Sequence, residues 1–302
     1  MHDAKAADII ARMHLDGLSK PWRPKSLAER ELAAAVRVME VYDRQYHQLL
    51  NRLEAQLARH WPEVTEILEL SGATLLALLH SLGGPQALAA HSQAGAKLMR
   101  KVGGHYLVDD KIAAVLHSAQ RTIGVPMTPP EAQALQQLAQ EANHCRKEAT
   151  RAKRRVQQLS GEHPTVQQLA QTVGATTAAV LVVSSGDPQQ YPAAGAYVKS
   201  LGLNLKERSS GKHKGELKLT KRGPSAARHY LYMAALRLVQ HDQVAGAWYG
   251  RKVQRDGGKA KKKAVVALMR KLAGALWHVA RGADFDSQRL FDTRRLGLQP
   301  TG

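Results

Sequence analysis

From Leu32 the apolar residues recur in alternating steps of four and three: Leu32, Val36, Met39, Tyr46, Leu50, Leu53 and Leu57, with Asp43 the single break. A repeat averaging 3.5 positions keeps one stripe of a helix facing one partner, which is the pattern of a heptad seam. The spacing predicts one long helix from about Lys25 to His60, ended by Pro62. A second seam runs through Leu135, Leu138, Ala142, Cys145, Ala149, Ala152, Val156 and Leu159 without a skipped position. Its small residues suit close approach of another helix, and Cys145 reads as a buried seam residue. The two seams can pair inside one chain or join two chains. Uninterrupted heptads make a homo-oligomer through a coiled coil an expectation.

Only 5% of the 302 residues are aromatic, and the apolar fraction comes largely from Ala, Leu and Val. That composition favours helices packed through small residues over a β-sandwich. A single cysteine excludes an internal disulfide and a Cys-rich zinc site, which fits a reducing compartment and a cytoplasmic location. The opening MHDAKAADII has acids where a signal peptide carries a basic and then an apolar run. The longest apolar runs, at 73–79 and 178–183, are far too short to span a bilayer.

Charge is the strongest functional signal. The formal net charge is +19, and from Lys199 onward 23 Lys or Arg face 7 acids, against 21 and 18 before it. Basicity confined to one third of a chain is an electrostatic footprint, and nucleic acid is its usual partner. An anionic membrane is a poorer match, because no basic amphipathic helix with a Trp/Phe face stands out. Within this third, RSSGKHKGELKLTKRG at 208–223 sets two serines among six cations and one acid. Further on, GGKAKKK crowds lysines against the start of a helix predicted over 264–281. Cations there oppose the macrodipole, a cost that a phosphate would reverse and that solvent screening would reduce.

Ser160, Gly161 and Pro164 mark a boundary. Thr165 is placed to cap a short helix ending near Val173. Gly174 then opens a turn, and Thr176–Val183 forms a second helix. Helix, glycine turn, helix is the outline of a helix-hairpin-helix, whose turn amides can hold a phosphate, although any helical hairpin can contain a glycine. GELKLTK alternates as a hairpin arm does. Gly223-Pro224 starts another helix, with Ala227, Leu231, Ala234 and Leu238 on its buried stripe and Arg228 and Arg237 off it. His213, His229, His241 and His278 lack metal-ligand spacing. Tyr230 and Tyr232 sit in a stretch, RHYLYM, without the Arg and His pattern of a tyrosine recombinase.

The run from Val173 to Leu236 resembles the C-terminal domain of the IS one-ten (Piv/MooV-like) insertion-sequence transposases. The residues that carry the resemblance are the Gly174 hairpin, the turn Gly186-Asp187, Tyr191-Pro192-Ala193-Ala194, Gly202-Leu203, Ser210-Gly211, Lys221-Arg222-Gly223 and the Arg/Ala-rich helix after it. The middle of the chain is similar to the coiled-coil linker of those proteins. The family's nuclease domain is RuvC-like and carries four acids, the last two in Asp-x-x-Asp-Ala-x-x-Ile-Ala. Here Asp3 matches the third acid, Ala6 stands at the fourth, and Asp8 comes two residues late.

The resemblance implies a mainly α protein in three parts. Residues 1–22 are a remnant of a RuvC-like domain, 23–160 a helical coiled-coil region, and 161–302 a basic transposase domain with a helix-hairpin-helix-like element and a short β-hairpin. It implies that Ser210, with Ser209 the adjacent alternative, attacks a DNA phosphodiester. Mg²⁺ held by family carboxylates assists, with Asp3 the one matching metal ligand here. A structured guide RNA is a further partner it allows. The cations expected to meet nucleic acid are Arg208, Lys212, Lys214, Lys218, Lys221, Arg222, Arg228, Lys259, Lys261, Lys262 and Lys263, joined by the Gly174 turn. Two expectations follow: a strand-exchange part of a transposase, inactive alone, or a non-catalytic nucleic-acid-binding and dimerising remnant.

Overall fold

The computed structural model describes residues 3–17, 24–210 and 213–297, and at 208–210, 213, 214, 216, 217 and 295 the backbone alone. The chain is mainly α, as expected, with one two-stranded antiparallel ribbon among the described residues. Helix α1 (Asp3–Leu15) buries none of its residues. Helix α2 (Leu27–His60) begins with a capping box: Ser26 accepts from the Glu29 N–H, and the Glu29 carboxylate accepts from the Ser26 N–H at 2.7 Å. Short helices follow, α3 (Val64–Ile67), α4 (Ala73–Leu82), α5 (Pro85–Ala90), α6 (Ser92–Gly103) and α7 (Asp109–Arg121). Helix α8 (Pro129–Ser160) opens on a second capping box, Thr128 with Glu131, and has proline at its first position.

Helices α2 and α8 pack against each other within the chain, along both heptad seams. They run antiparallel. Arg59, near the end of α2, lies 3.7 Å from Glu131 at the start of α8, and Cys145 Sγ lies 3.9 Å from Gln45 Oε1 midway. Cys145 is buried in the seam, as its spacing predicted.

The heptad break at Asp43 has a structural counterpart. On one side of it Leu49, Leu50, Leu53 and Leu57 join Leu135, Ala139, Ala142 and Cys145 with residues of α3–α7 in one apolar core. On the other side Leu32, Val36 and Met39 join Ala152, Val156 and Leu159 in a second core shared with the C-terminal helices. A carboxylate cannot be buried cheaply in either, so it falls where the two cores meet. Trp61, fully buried, anchors the first core by donating to Ser118 Oγ at 3.1 Å.

The C-terminal part runs α9 (Pro164–Val173), α10 (Ala175–Ser185), α11 (Ala194–Ser200), β1 (Leu205–Ser210), β2 (His213–Leu219), α12 (Ser225–His241), α13 (Gln243–Arg255), α14 (Lys261–Val279) and α15 (Thr293–Leu296). Helix α10 is buried on nearly all sides and packs on α9, α12, α8 and α2. Pro164, one residue ahead of Thr165, takes the first helical position of α9. Thr165 is therefore inside the helix rather than capping it, and its hydroxyl donates to Asp187 at 2.7 Å. Helix α14 begins three residues earlier than the spacing suggested, so Lys261, Lys262 and Lys263 form its first turn. No helix among the described residues is long and apolar enough to cross a membrane.

Candidate nucleic-acid interface

The serine-bearing hairpin is rooted in the fold through its two ends. Helix α11 leads into it and α12 leads out, and both rest on α14. Between them Leu201 and Leu203 are buried, which fixes the chain just before β1. The register is Leu205 opposite Leu219, Lys206 opposite Lys218, Glu207 opposite Leu217 and Arg208 opposite Glu216, with an irregularity before Ser210 meets His213. Below the last rung, Thr220 N donates to Asn204 O at 2.8 Å and Lys221 N to Gly202 O at 3.1 Å.

Two glycines make this root possible. At Gly202 (φ +70°) a Cβ would stand 2.8 Å from the Arg222 carbonyl, and at Gly223 it would stand 2.4 Å from the Ser200 carbonyl oxygen. Both distances are closer than a side chain tolerates, so the Lys221-Arg222-Gly223 segment lies directly on the end of α11. Arg228 ties the same junction from α12, donating to the Gly223 carbonyl at 2.7 Å and the Leu201 carbonyl at 3.4 Å. Its guanidinium is thus committed in part to backbone.

Ser209 and Ser210 stand at the end of β1, with their backbone alone described. The side chains of Arg208 and Lys214 lie outside the described residues, and so does all of Lys212. Lys206, Lys218, Lys221 and Arg222 are exposed on the hairpin and its root. Cross-strand register puts Lys206 and Lys218 side by side on one face of the ribbon, concentrating positive charge there. Lys259 and the α14 lysines 261–263 are exposed as well.

The Gly174 turn joins α9 to α10 at φ +80°. One residue the sequence reading set aside comes to this turn: Arg237, exposed on α12, has a guanidinium nitrogen 3.4 Å from where a Gly174 Cβ would stand. Its position off the buried stripe of α12 was readable, but its meeting with a turn 63 residues earlier was not. The Gly186-Asp187 turn has a structural use. The Asp187 carboxylate accepts from Thr165 Oγ1 and from the Gln189 N–H at 2.9 Å, so it caps a 3₁₀ turn. Tyr191 continues this knot, its carbonyl accepting from Trp277 Nε1 at 3.0 Å and from Arg281 at 2.9 Å.

Asp3 does not fit a Mg²⁺ site with the residues around it. It is exposed, and Asp8, five positions on, points away from its face of α1 and pairs with Arg12 at 3.1 Å. A Mg²⁺ site draws carboxylates together around one ion. No group of three His, Cys, Asp or Glu suited to a metal occurs among the described residues.

Across 300 residues the chain is 25% identical to the protein of Streptomyces coelicolor described as the insertion element IS110 uncharacterized 43.6 kDa protein, covering 95% of this chain and 72% of that one. Residues 169–250, from within α9 to within α13, match the model of the transposase family IS116/IS110/IS902, so the stretch holding the hairpin, its root and the Gly174 turn is similar to those transposases.

Proposed function

We propose that the chain is the DNA-binding, strand-exchange part of an insertion-sequence transposase, with Ser210 as nucleophile and Ser209 as the adjacent alternative. The observation that carries this reading is the coincidence of the family match over 169–250 with a cation-rich hairpin rooted by close glycine contacts. A serine hydroxyl needs a fixed position and somewhere for negative charge to go. Lys218, Lys221 and Arg222, with Lys212 and Lys214, supply that charge, while the Gly174 turn with Arg237 holds the backbone of the same DNA. In the chemistry proposed, the serine hydroxyl gives up its proton as Oγ bonds to phosphorus, one P–O ester bond breaks, and the departing deoxyribose oxygen takes a proton. Divalent metal belongs to the family's chemistry, and because Asp3 alone does not fit it, the step is assigned to the chain only together with partner carboxylates. The protein works in the cytoplasm; because the two heptad seams pair within the chain, a homo-oligomer would form through another surface, and a structured RNA is a partner to be tried in every assay.

The test is a nicked DNA substrate carrying a labelled phosphate, with Mg²⁺ and a supplied carboxylate-bearing relative. A covalent adduct that forms with the wild type and disappears in Ser210→Ala supports the assignment. An adduct that survives Ser210→Ala and vanishes in Ser209→Ala moves the nucleophile by one residue. Survival in both ends the serine reading.

A further inference from the structure

The balance of charge before Lys199 conceals a local concentration: between Arg146 and Arg155, six Lys or Arg face the single acid Glu148. All six lie on α8. Lys147, Arg151, Arg154 and Arg155 follow the i, i+4, i+7, i+8 spacing of one helix face, over a rise of about 12 Å. That face is opposite the buried seam residues Cys145, Ala152 and Val156, so it points outward, and all four side chains are exposed, as is Lys153.

Arg151 pairs with Glu148. Lys147, Lys153, Arg154 and Arg155 make no ion pair among the described residues. Two acids of the neighbouring helix have contacts on that helix: Asp43 lies 3.8 Å from His47, and Glu40 is set between Arg37 and Arg44. Like charges at i, i+4, as in Lys147–Arg151 and Arg151–Arg155, destabilise an isolated helix. Here they are retained on a helix that is already held by its seam. Nothing in the packing of α8 calls for them.

We propose that the outward face of α8 is a second contact surface for duplex DNA, reading the phosphate backbone without regard to sequence. This rests on the transposase reading given above. The chemistry favours a duplex over a single strand, because residues 146–160 contain no aromatic side chain on which unpaired bases could stack, and the nearest ring, His144, meets Tyr42 edge-on. A straight cationic face about two turns long spans several phosphates of a helical backbone, and guanidinium groups bind phosphate through paired donors.

The experiment measures the affinity of the full chain for a 30-base-pair DNA duplex of arbitrary sequence across a salt series. Three variants are compared with the wild type. The first is Lys147→Gln, Arg151→Gln, Arg154→Gln, Arg155→Gln. The second is a control removing the same charge elsewhere, Lys25→Gln, Lys97→Gln, Lys101→Gln, Arg121→Gln. The third is Glu148→Gln. Glutamine keeps helix propensity, and circular dichroism with the thermal midpoint checks that each variant folds. The expected result is a log–log salt slope shallower by about 3 in the first variant, with binding about tenfold weaker or more, and little change in the control. Glu148→Gln, which releases Arg151, should bind a few-fold tighter. Binding by the first variant equal to that of the control overturns the proposal, as does a loss confined to a duplex RNA of the same sequence. A wild type that binds no duplex at all overturns the transposase reading itself, so the two failures are told apart.

Discussion

The Tyr230 hydroxyl lies 3.7 Å from the Met39 sulfur, joining residues 191 positions apart. It fastens α12, the helix that leaves the serine hairpin, to the first long helix. Burial chiefly, and then Asp43 and Glu40, push the Tyr230 hydroxyl up to about 12 from an ordinary value of 10.0. The folded state therefore keeps this proton where the unfolded chain has released it. Stability falls as pH rises between 10 and 12, because the unfolded state then binds fewer protons than the folded one. Urea denaturation at steps across that range should show the loss. Tyr230→Phe should flatten it in part, the remainder coming from Tyr197, which burial raises as well.

The capping box of α2 gives a simpler expectation. Ser26→Ala removes the acceptor for the Glu29 N–H and leaves that end of the seam helix to fray. The cost should be about 1 kcal/mol of unfolding free energy, with no change in DNA affinity, since Ser26 is uncharged and its hydroxyl is engaged in the cap. A weakening of DNA binding equal to that of the fourfold α8 variant would contradict the separation of stability from recognition.

How far these features were legible in the sequence differs from element to element. The seams of α2 and α8 were legible because their period is independent of context. Whether they closed within the chain was not, because an a/d stripe looks the same from either partner. What decides it is the set of helices α3–α7, which fold back over the α2/α8 pair as a shared core. Strand β2 alternates and was read, whereas β1, Leu-Lys-Glu-Arg-Ser-Ser, does not, and only pairing with β2 makes it a strand. Thr165 was read as a cap from local chemistry, but its partner is Asp187, 22 positions away. Helix α13 went unread even though Asp242 caps it through the Ala245 N–H. Arg237 at the Gly174 turn is the same kind of omission, since it depends on α10 packing against α12.

Gly223→Ala tests whether the hairpin must be rooted where it is. The added methyl would press on the Ser200 carbonyl oxygen and the Leu201 backbone, neither of which can swing aside as a side-chain end does. Displacing the root should cost about 1–3 kcal/mol by overpacking. It should also weaken DNA binding and abolish any Ser210 adduct, since Lys221 and Arg222 move with it. Gly250→Ala, where a Cβ meets nothing within 4 Å, serves as the matched control and should change none of these.

The lysines at the start of α14 yield a prediction with two opposite signs. Lys261, Lys262 and Lys263 occupy its first turn, where the helix carries partial positive charge, and no acid is present in that turn. Each exposed lysine there costs a few tenths of a kcal/mol in the free protein. Replacing Lys259, Lys261, Lys262 and Lys263 by Gln should therefore raise the thermal midpoint slightly. If the four meet phosphates, the same variant should lose duplex affinity and show a salt slope shallower by about 3. A purely structural or solvated cluster would gain stability with its DNA affinity unchanged. Greater stability together with weaker, less salt-sensitive binding is the outcome expected of a surface that is unfavourable to the fold alone and is offset by the polyanion it receives.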